Sequence, residues 1–455
     1  MTHTRLLPSI LCLALLLLTA PTVDAAEADF DPSAEFLSLL VGDVAQRPAA
    51  IQRISKNWHP GFAVMMVEVL RFSRQPDVQK LGMRALRQQT GQQIGNELDE
   101  WYEWIWSKPP ELHPDYAEFK SQLYSNLDPL FGGYFDTERT STIRLDEVRW
   151  GGVKQDGIPP LRSPKMINAD EATYMQDANV VFGIEVNGDA RAYPKRILAW
   201  HEMFVDTVGG VPVAGVYCTL CGTVILYETE FEGTNHELGT SGFLYRSNKL
   251  MFDKATQTLW STMAGSPVIG PLVGKDIQLR PGSVVTTRWK EWKRRHPDTK
   301  VLSLDTGYDR DYGEGVAYKE YFATDELMFN VPDSDKRLKN KDEVLTFIPR
   351  TGEKESLAIS AKFLNKQPVY HDTLNGTDFV VLTDRTGGNR AYETGGLKFK
   401  KWDRDQTATD VEGNEWTLSE AGLTSTDGRT LERFSAQRAF WFGWRAAYPD
   451  TRLVK

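Results

Sequence analysis

Hydrophobic positions change period near residue 150, and that change predicts two kinds of structure. From Asp31 to about Leu130 the spacing is helical: Val78, Leu81, Ala85 and Leu86 fall at i, i+3, i+7 and i+8 behind Pro76-Asp77, a helix start. Similar runs cover residues 62–72 and 98–106. Breaks at His59-Pro60, Gln75-Pro76 and Pro109-Pro110 predict stacked antiparallel helices, helical-repeat-like but without a clean period. Trp101, Trp104 and Trp106 stand at helical spacing and read as core rather than as a sugar-stacking platform.

Beyond Trp150 the pattern becomes strand-like. Residues 180–186 are apolar and rich in β-formers, Asn187-Gly188 supplies a hairpin turn, and residues 190–193 return. Pro194 then opens a short helix with His201 and Glu202 at its far end. Gly209-Gly210 turns into a strand over residues 211–217 that runs into Cys218, and residues 223–227 form the next strand. The expected class is α+β: a helical domain over 26–145, then a larger β-rich domain over 146–455, with a charged subdomain boundary near 333–342.

The first 25 residues read as a leader: Arg5, an apolar stretch from Leu11 to Leu18, and Val23-Asp24-Ala25 as a cleavage pattern. The expectation is a soluble periplasmic or secreted protein with no membrane span after cleavage; an uncleaved anchor is the alternative. Sixty-two acidic against 53 basic residues leave a charge of -9, which argues against nucleic acid as a partner. No Walker loop, dinucleotide fingerprint or G-x-S-x-G elbow occurs, so no nucleotide cofactor is expected. The cluster Lys290, Lys293, Arg294 and Arg295 reads as a solvated helix face.

Of three cysteines, Cys12 lies in the leader, leaving Cys218 and Cys221. A Cys-x-x-Cys-Gly turn between two strands resembles the metal knuckle of zinc ribbons, whereas a thioredoxin-type pair opens a helix. A third ligand must come from elsewhere, and His201 is the natural one. His236 is a second candidate, Glu202 a ligand or an orienting acceptor, and Met251, Met263 and Asp253 further donors around one Cu or Zn ion. His201-Glu202 does not continue into a zinc-peptidase motif, since position 205 is Val. A redox-active dithiol, a structural disulfide and inert thiols are the competing readings of the pair.

The stretch from Gly183 to Gly188, then Ala190-Arg191-Ala192-Tyr193-Pro194, Trp200-His201-Glu202 and Tyr217-Cys218-Thr219-Leu220-Cys221-Gly222-Thr223 resembles the bacterial DUF3179 family of unknown function. The resemblance continues through Ser241-Gly242, Leu244-Tyr245, Ser247-Asn248, Met251, Asp253 and Trp260. It goes on through Trp289, Trp292, His296-Pro297 and Thr299 to the closing Phe440-Trp441-Phe442 and Trp444, covering about Gly152 to Leu453. Thr219 stands where the family pattern usually has Pro. The resemblance implies no activity, but it groups His201, Glu202, Cys218 and Cys221 as one constellation.

Three functions follow as expectations. The first is metal handling or metal-dependent chemistry at Cys218, Cys221 and His201. The second is thiol-disulfide exchange by the same pair in the periplasm. The third is an interaction scaffold with a structural disulfide, whose helical domain binds a protein partner.

Overall fold

The computed structural model describes residues 30–455; the leader lies outside the described residues. Helices Pro32–Val41, Arg47–Lys56, Phe62–Phe72, Pro76–Thr90, Leu98–Ser107 and Tyr116–Ser125 form the N-terminal part. Asp31 caps the first, accepting from Ala34 N at 3.1 Å. Pro76 opens the fourth, and Gly91, at φ 71°, ends it. Trp101 is wholly buried and Trp106 nearly so, which bears out their reading as core.

The helical core continues into a sheet of strands Val148–Trp150, Leu238–Tyr245, Asn248–Asp253, Leu259–Ser261 and Ser266–Ile269. Phe243 of this sheet meets Phe131 at 4.7 Å and Phe135 at 5.3 Å between ring centroids. Lys120, fully buried, is held there by Glu68 Oε1 at 2.5 Å and Val148 O at 2.9 Å, which satisfies its charge. No helix among the described residues is long and apolar enough to cross a membrane.

In the rest of the chain one arrangement of strands occurs twice, beside a separate five-stranded sheet that runs from Phe399–Trp402 to Thr430–Glu432. In the first unit, strand Val285–Arg288 pairs antiparallel with Val180–Val186, which pairs antiparallel with Asp189–Pro194, which pairs parallel with Lys300–Leu302. In the second, Gln437–Phe440, Glu343–Phe347, Leu357–Ser360 and Arg452–Val454 repeat the same order and directions. Each unit inserts a short helix after the second of these strands in chain order, Lys195–His201 behind Asp189–Pro194 and Ala361–Lys366 behind Leu357–Ser360. Each follows with a three-stranded antiparallel meander: Met203–Val208, Val211–Cys218 and Thr223–Glu228, against Val369–Leu374, Thr377–Thr383 and Asn389–Glu393.

The closing helices carry the clearest correspondence. Trp289–Arg295 and Trp441–Ala447 belong to the motifs Trp289-x-x-Trp292-x-x-x-His296-Pro297-Asp298-Thr299 and Trp441-x-x-Trp444-x-x-x-Tyr448-Pro449-Asp450-Thr451. In both, the second indole donates to the threonine hydroxyl at 2.9 Å, and the second tryptophan stacks on the residue four positions later, at 4.1 Å and 4.3 Å. The closing aromatic motif is core, with Trp441 and Trp444 fully buried. Three basic residues of the first helix are solvated as expected, with Lys293 reaching Asp170 at 2.7 Å and Arg294 reaching Asp405 at 2.6 Å, whereas Arg295 is nearly buried and paired with Glu291 at 2.7 Å.

Candidate functional site

Hairpin residues Asn187 and Gly188 take φ 50° and 82°, and Pro194 caps the Lys195–His201 helix at its N-terminal end, both as expected. Glu202 ends that helix at φ 56°, its N–H donating to Leu198 O at 2.7 Å. The chain then turns into Met203–Val208, which pairs with Val211–Cys218 so that Met203 opposes Val216. Tyr217 N donates to Glu202 O at 2.9 Å, which brings Glu202 beside the hairpin that carries the cysteines.

Cys218 and Cys221 form a disulfide across the tip of that hairpin, where Cys218 opposes Thr223. Both residues are buried, Cys221 wholly, with Phe440, Phe442, Ala446 and Val331 around them. Phe440 N donates to Cys221 O at 2.9 Å and so ties the hairpin of the first unit to the second. In the second unit the equivalent turn carries no cysteine. Asp384 closes it, accepting from Thr386 N at 2.8 Å and Gly388 N at 2.9 Å.

The expected metal ligands are not assembled as a ligand set. The sulfurs are bonded to each other. His201 Nδ1 faces Pro159 O at 2.9 Å and Nε2 faces Tyr312 OH at 2.6 Å. A carbonyl only accepts, so Nδ1 carries the proton and Nε2 accepts from the tyrosine. Burial holds His201 below the ordinary histidine value, in keeping with a neutral ring. Glu202 is engaged by Lys249 Nζ at 2.5 Å and by Tyr318 OH at 3.3 Å. His236 Nδ1 and Asp253 Oδ2 lie 2.9 Å apart, and Asp253 also accepts from Thr256 N at 2.8 Å, closing a turn. Met251 and Met263 are core residues. Among the described residues no group of three or more His, Cys, Asp or Glu side chains could hold a metal ion. This donor set does not fit Cu or Zn in the arrangement observed.

The charged boundary expected at 333–342 belongs to a longer strap, residues 303–342, whose one regular element is the short Lys319–Ala323 helix. The strap lies across the motif residues: Trp200 Nε1 donates to Asp311 O, Tyr312 meets His201, Tyr318 donates to Glu202, Tyr321 OH donates to Leu220 O, and Ser247 Oγ donates to Phe329 O. Sequence reasoning missed Lys249, although a lysine within the apolar run Leu250-Met251-Phe252 is itself a signal that a buried acid must face it. Burial pushes the Lys249 ammonium down, and Glu202 pulls it back up.

Beside the disulfide opens a cleft of about 410 Å³ between the two units. Equivalent positions of both line it: Arg288 and Phe440, Val180 and Glu343, Lys195 and Ala361. Gly222 of the cysteine turn and Tyr217 form part of its wall. Tyr217 is buried, and its inaccessible hydroxyl has no hydrogen-bond partner among the described residues. Neither Tyr217 nor Lys195 stood out in the sequence, because one lies in an apolar strand and the other follows a helix-opening proline.

No curated protein and no solved structure matches this chain. The sequence model described as "Protein of unknown function (DUF3179)" matches residues 155–451, a span that takes in the disulfide hairpin, the strap, the first unit and the second unit up to its closing strand. The chain therefore belongs to the DUF3179 family.

Proposed function

We propose that this is an exported binding protein, that the cleft between its two units holds a small ligand, and that Cys218–Cys221 is a structural staple of the cleft wall. The cleft carries this reading: it is of ligand size, lies beside the disulfide, and is lined by equivalent positions of both units.

The leader pattern supports export, and a disulfide agrees with an oxidising compartment. Thiol-disulfide exchange needs a thiolate to reach a sulfur, and both cysteines lie under Phe440 and Phe442. The same burial supports a structural role. The staple fixes the turn that bears Gly222, and Gly222 borders the cleft.

A thermal-shift screen of small metabolites against the mature chain tests this. Hits are expected with the wild type and should disappear in Asn365→Trp, which places an indole over the cleft from an exposed helical position. The absence of hits, or hits equal in both proteins, would overturn it.

A further inference from the structure

We infer that the cleft takes an oxyanion, a carboxylate or phosphate carried on a small apolar body, with Lys195 as counter-charge. This rests on reading the cleft as a binding site.

The charge balance is the first argument. The whole chain carries -9, yet the cleft is lined by five cations, Lys195, Arg288, Lys341, Lys362 and Arg438, against two carboxylates, Asp342 and Glu343. Both carboxylates are already used: Lys362 holds Asp342 at 2.6 Å and Arg438 holds Glu343 at 2.6 Å. Three cations remain over. A local excess of positive charge inside a net-negative molecule selects for an anion.

The second argument is the state of the leftover cations. Arg288 Nη1 donates to Ala178 O at 2.7 Å, and Lys341 Nζ donates to Thr324 O at 2.7 Å. Both have carbonyl acceptors but no carboxylate. Lys195 has less: among the described residues it has neither an ion pair nor a hydrogen-bond acceptor, and its ammonium lies 4.6 Å from the centre of the Phe322 ring. Glu343 and Glu314 act on it only at range: neither forms an ion pair with its ammonium, and Arg438 holds the first. A half-buried ammonium without an acceptor is costly, and an incoming oxyanion removes that cost.

The third argument is shape. Phe182, Val224 and Phe440 give the same cleft an apolar wall, with Phe182 and Tyr217 rings 4.9 Å apart. An anion with an apolar body fills both surfaces, whereas a bare inorganic ion fills one.

The test is calorimetric titration of the full mature chain with benzoate, phenyl phosphate, inorganic phosphate, benzamide and benzamidine. Benzoate or phenyl phosphate should bind at least tenfold more tightly than benzamide or benzamidine, and more tightly than inorganic phosphate. Lys195→Met should weaken the anions at least tenfold while leaving the melting temperature unchanged or higher, since it removes a charge that has no partner. Arg288→Gln serves as a second charge variant should Lys195→Met fail to fold. Benzamide binding as tightly as benzoate, with Asn365→Trp abolishing both, would leave the binding site standing and overturn the anion. Inorganic phosphate binding as tightly as phenyl phosphate would overturn the apolar body. No binding by any probe would overturn the inference as a whole, while the metabolite screen decides the site reading separately.

Discussion

Gly222 lies directly beneath the ring of Phe440, so close that a Cβ on residue 222 would stand 2.6 Å from Phe440 Cγ. One residue belongs to the cysteine turn of the first unit and the other to a strand of the second, and Phe440 N also holds Cys221 O. The seam between the units is therefore closed by a residue that cannot carry a side chain.

Gly222→Ala is expected to destabilise the protein twice over. Its φ of 58° adds about 1–2 kcal/mol for a left-handed alanine, and the collision adds about 1–3 kcal/mol of overpacking. Gly233→Ala is the control, because Gly233 has φ 78° with nothing near a built Cβ. Urea unfolding should show a clearly larger loss for Gly222→Ala. Equal losses would mean that the seam yields freely.

The disulfide closes a very short ring, and that limits what it contributes. In the chain-entropy account a loop of about four residues gives only about 2 kcal/mol, far less than a long-range bridge. Cys218→Ala with Cys221→Ala should thus fold, with a lower midpoint of unfolding. Native wild-type protein should show no titratable thiol, and two after reduction in denaturant. Two reactive thiols in the native, unreduced protein would contradict a structural role.

Much of the local structure was legible. The Asn187-Gly188 hairpin, the helix behind Pro194 and the strand running into Cys218 all depend on signals within a few residues of each other, and each occurs where the pattern puts it. The metal constellation is not assembled in the structure, and one backbone torsion accounts for part of that. Glu202 in the left-handed region reverses the chain, so Glu202 meets Tyr217 while the His201 ring turns to Pro159 and Tyr312. The strap has no hydrophobic period to betray it, since side chains donating to backbone carbonyls hold it across the motifs. The duplication was legible in the two Trp-x-x-Trp motifs, but the connecting segments differ enough in length to hide it from a search for a fixed period.

His201 links pH to the strap. Its folded value is depressed, chiefly by burial, so the unfolded chain takes up the proton first as pH falls. The stabilisation is whole above about pH 6.5, the model-peptide value, and is lost as pH falls through the depressed folded value. Arg310 acts in the same sense on the ring, Tyr308 packs 5.2 Å from it, and Tyr312 bridges it to Thr306. His113 and His371 are depressed in the same direction, so the wild type should lose stability from several histidines between pH 7.5 and 5.5. His201→Gln should lose less over that range, as measured by urea midpoints, and limited proteolysis within 303–342 should quicken at pH 5.5 in the wild type alone. Identical pH dependence in both proteins would remove His201 as the link.

The two copies of the tryptophan-threonine contact allow a comparison inside one molecule. Trp292 Nε1 donates to Thr299 and Trp444 Nε1 to Thr451, both at 2.9 Å and both buried. Thr299→Val and Thr451→Val each leave an indole donor without its acceptor, which costs roughly 1–3 kcal/mol. Thr299 additionally donates its own hydroxyl proton to Ala190 O at 3.0 Å, so its loss also frees a carbonyl in the neighbouring strand. The expected order is therefore a larger loss for Thr299→Val than for Thr451→Val, with the double variant additive because the two contacts lie in different units and share no partner. Chemical denaturation of the three variants checks both points. A reversed order would mean that the Ala190 bond contributes nothing, and a non-additive double variant would mean that the units are coupled through more than the Gly222–Phe440 seam.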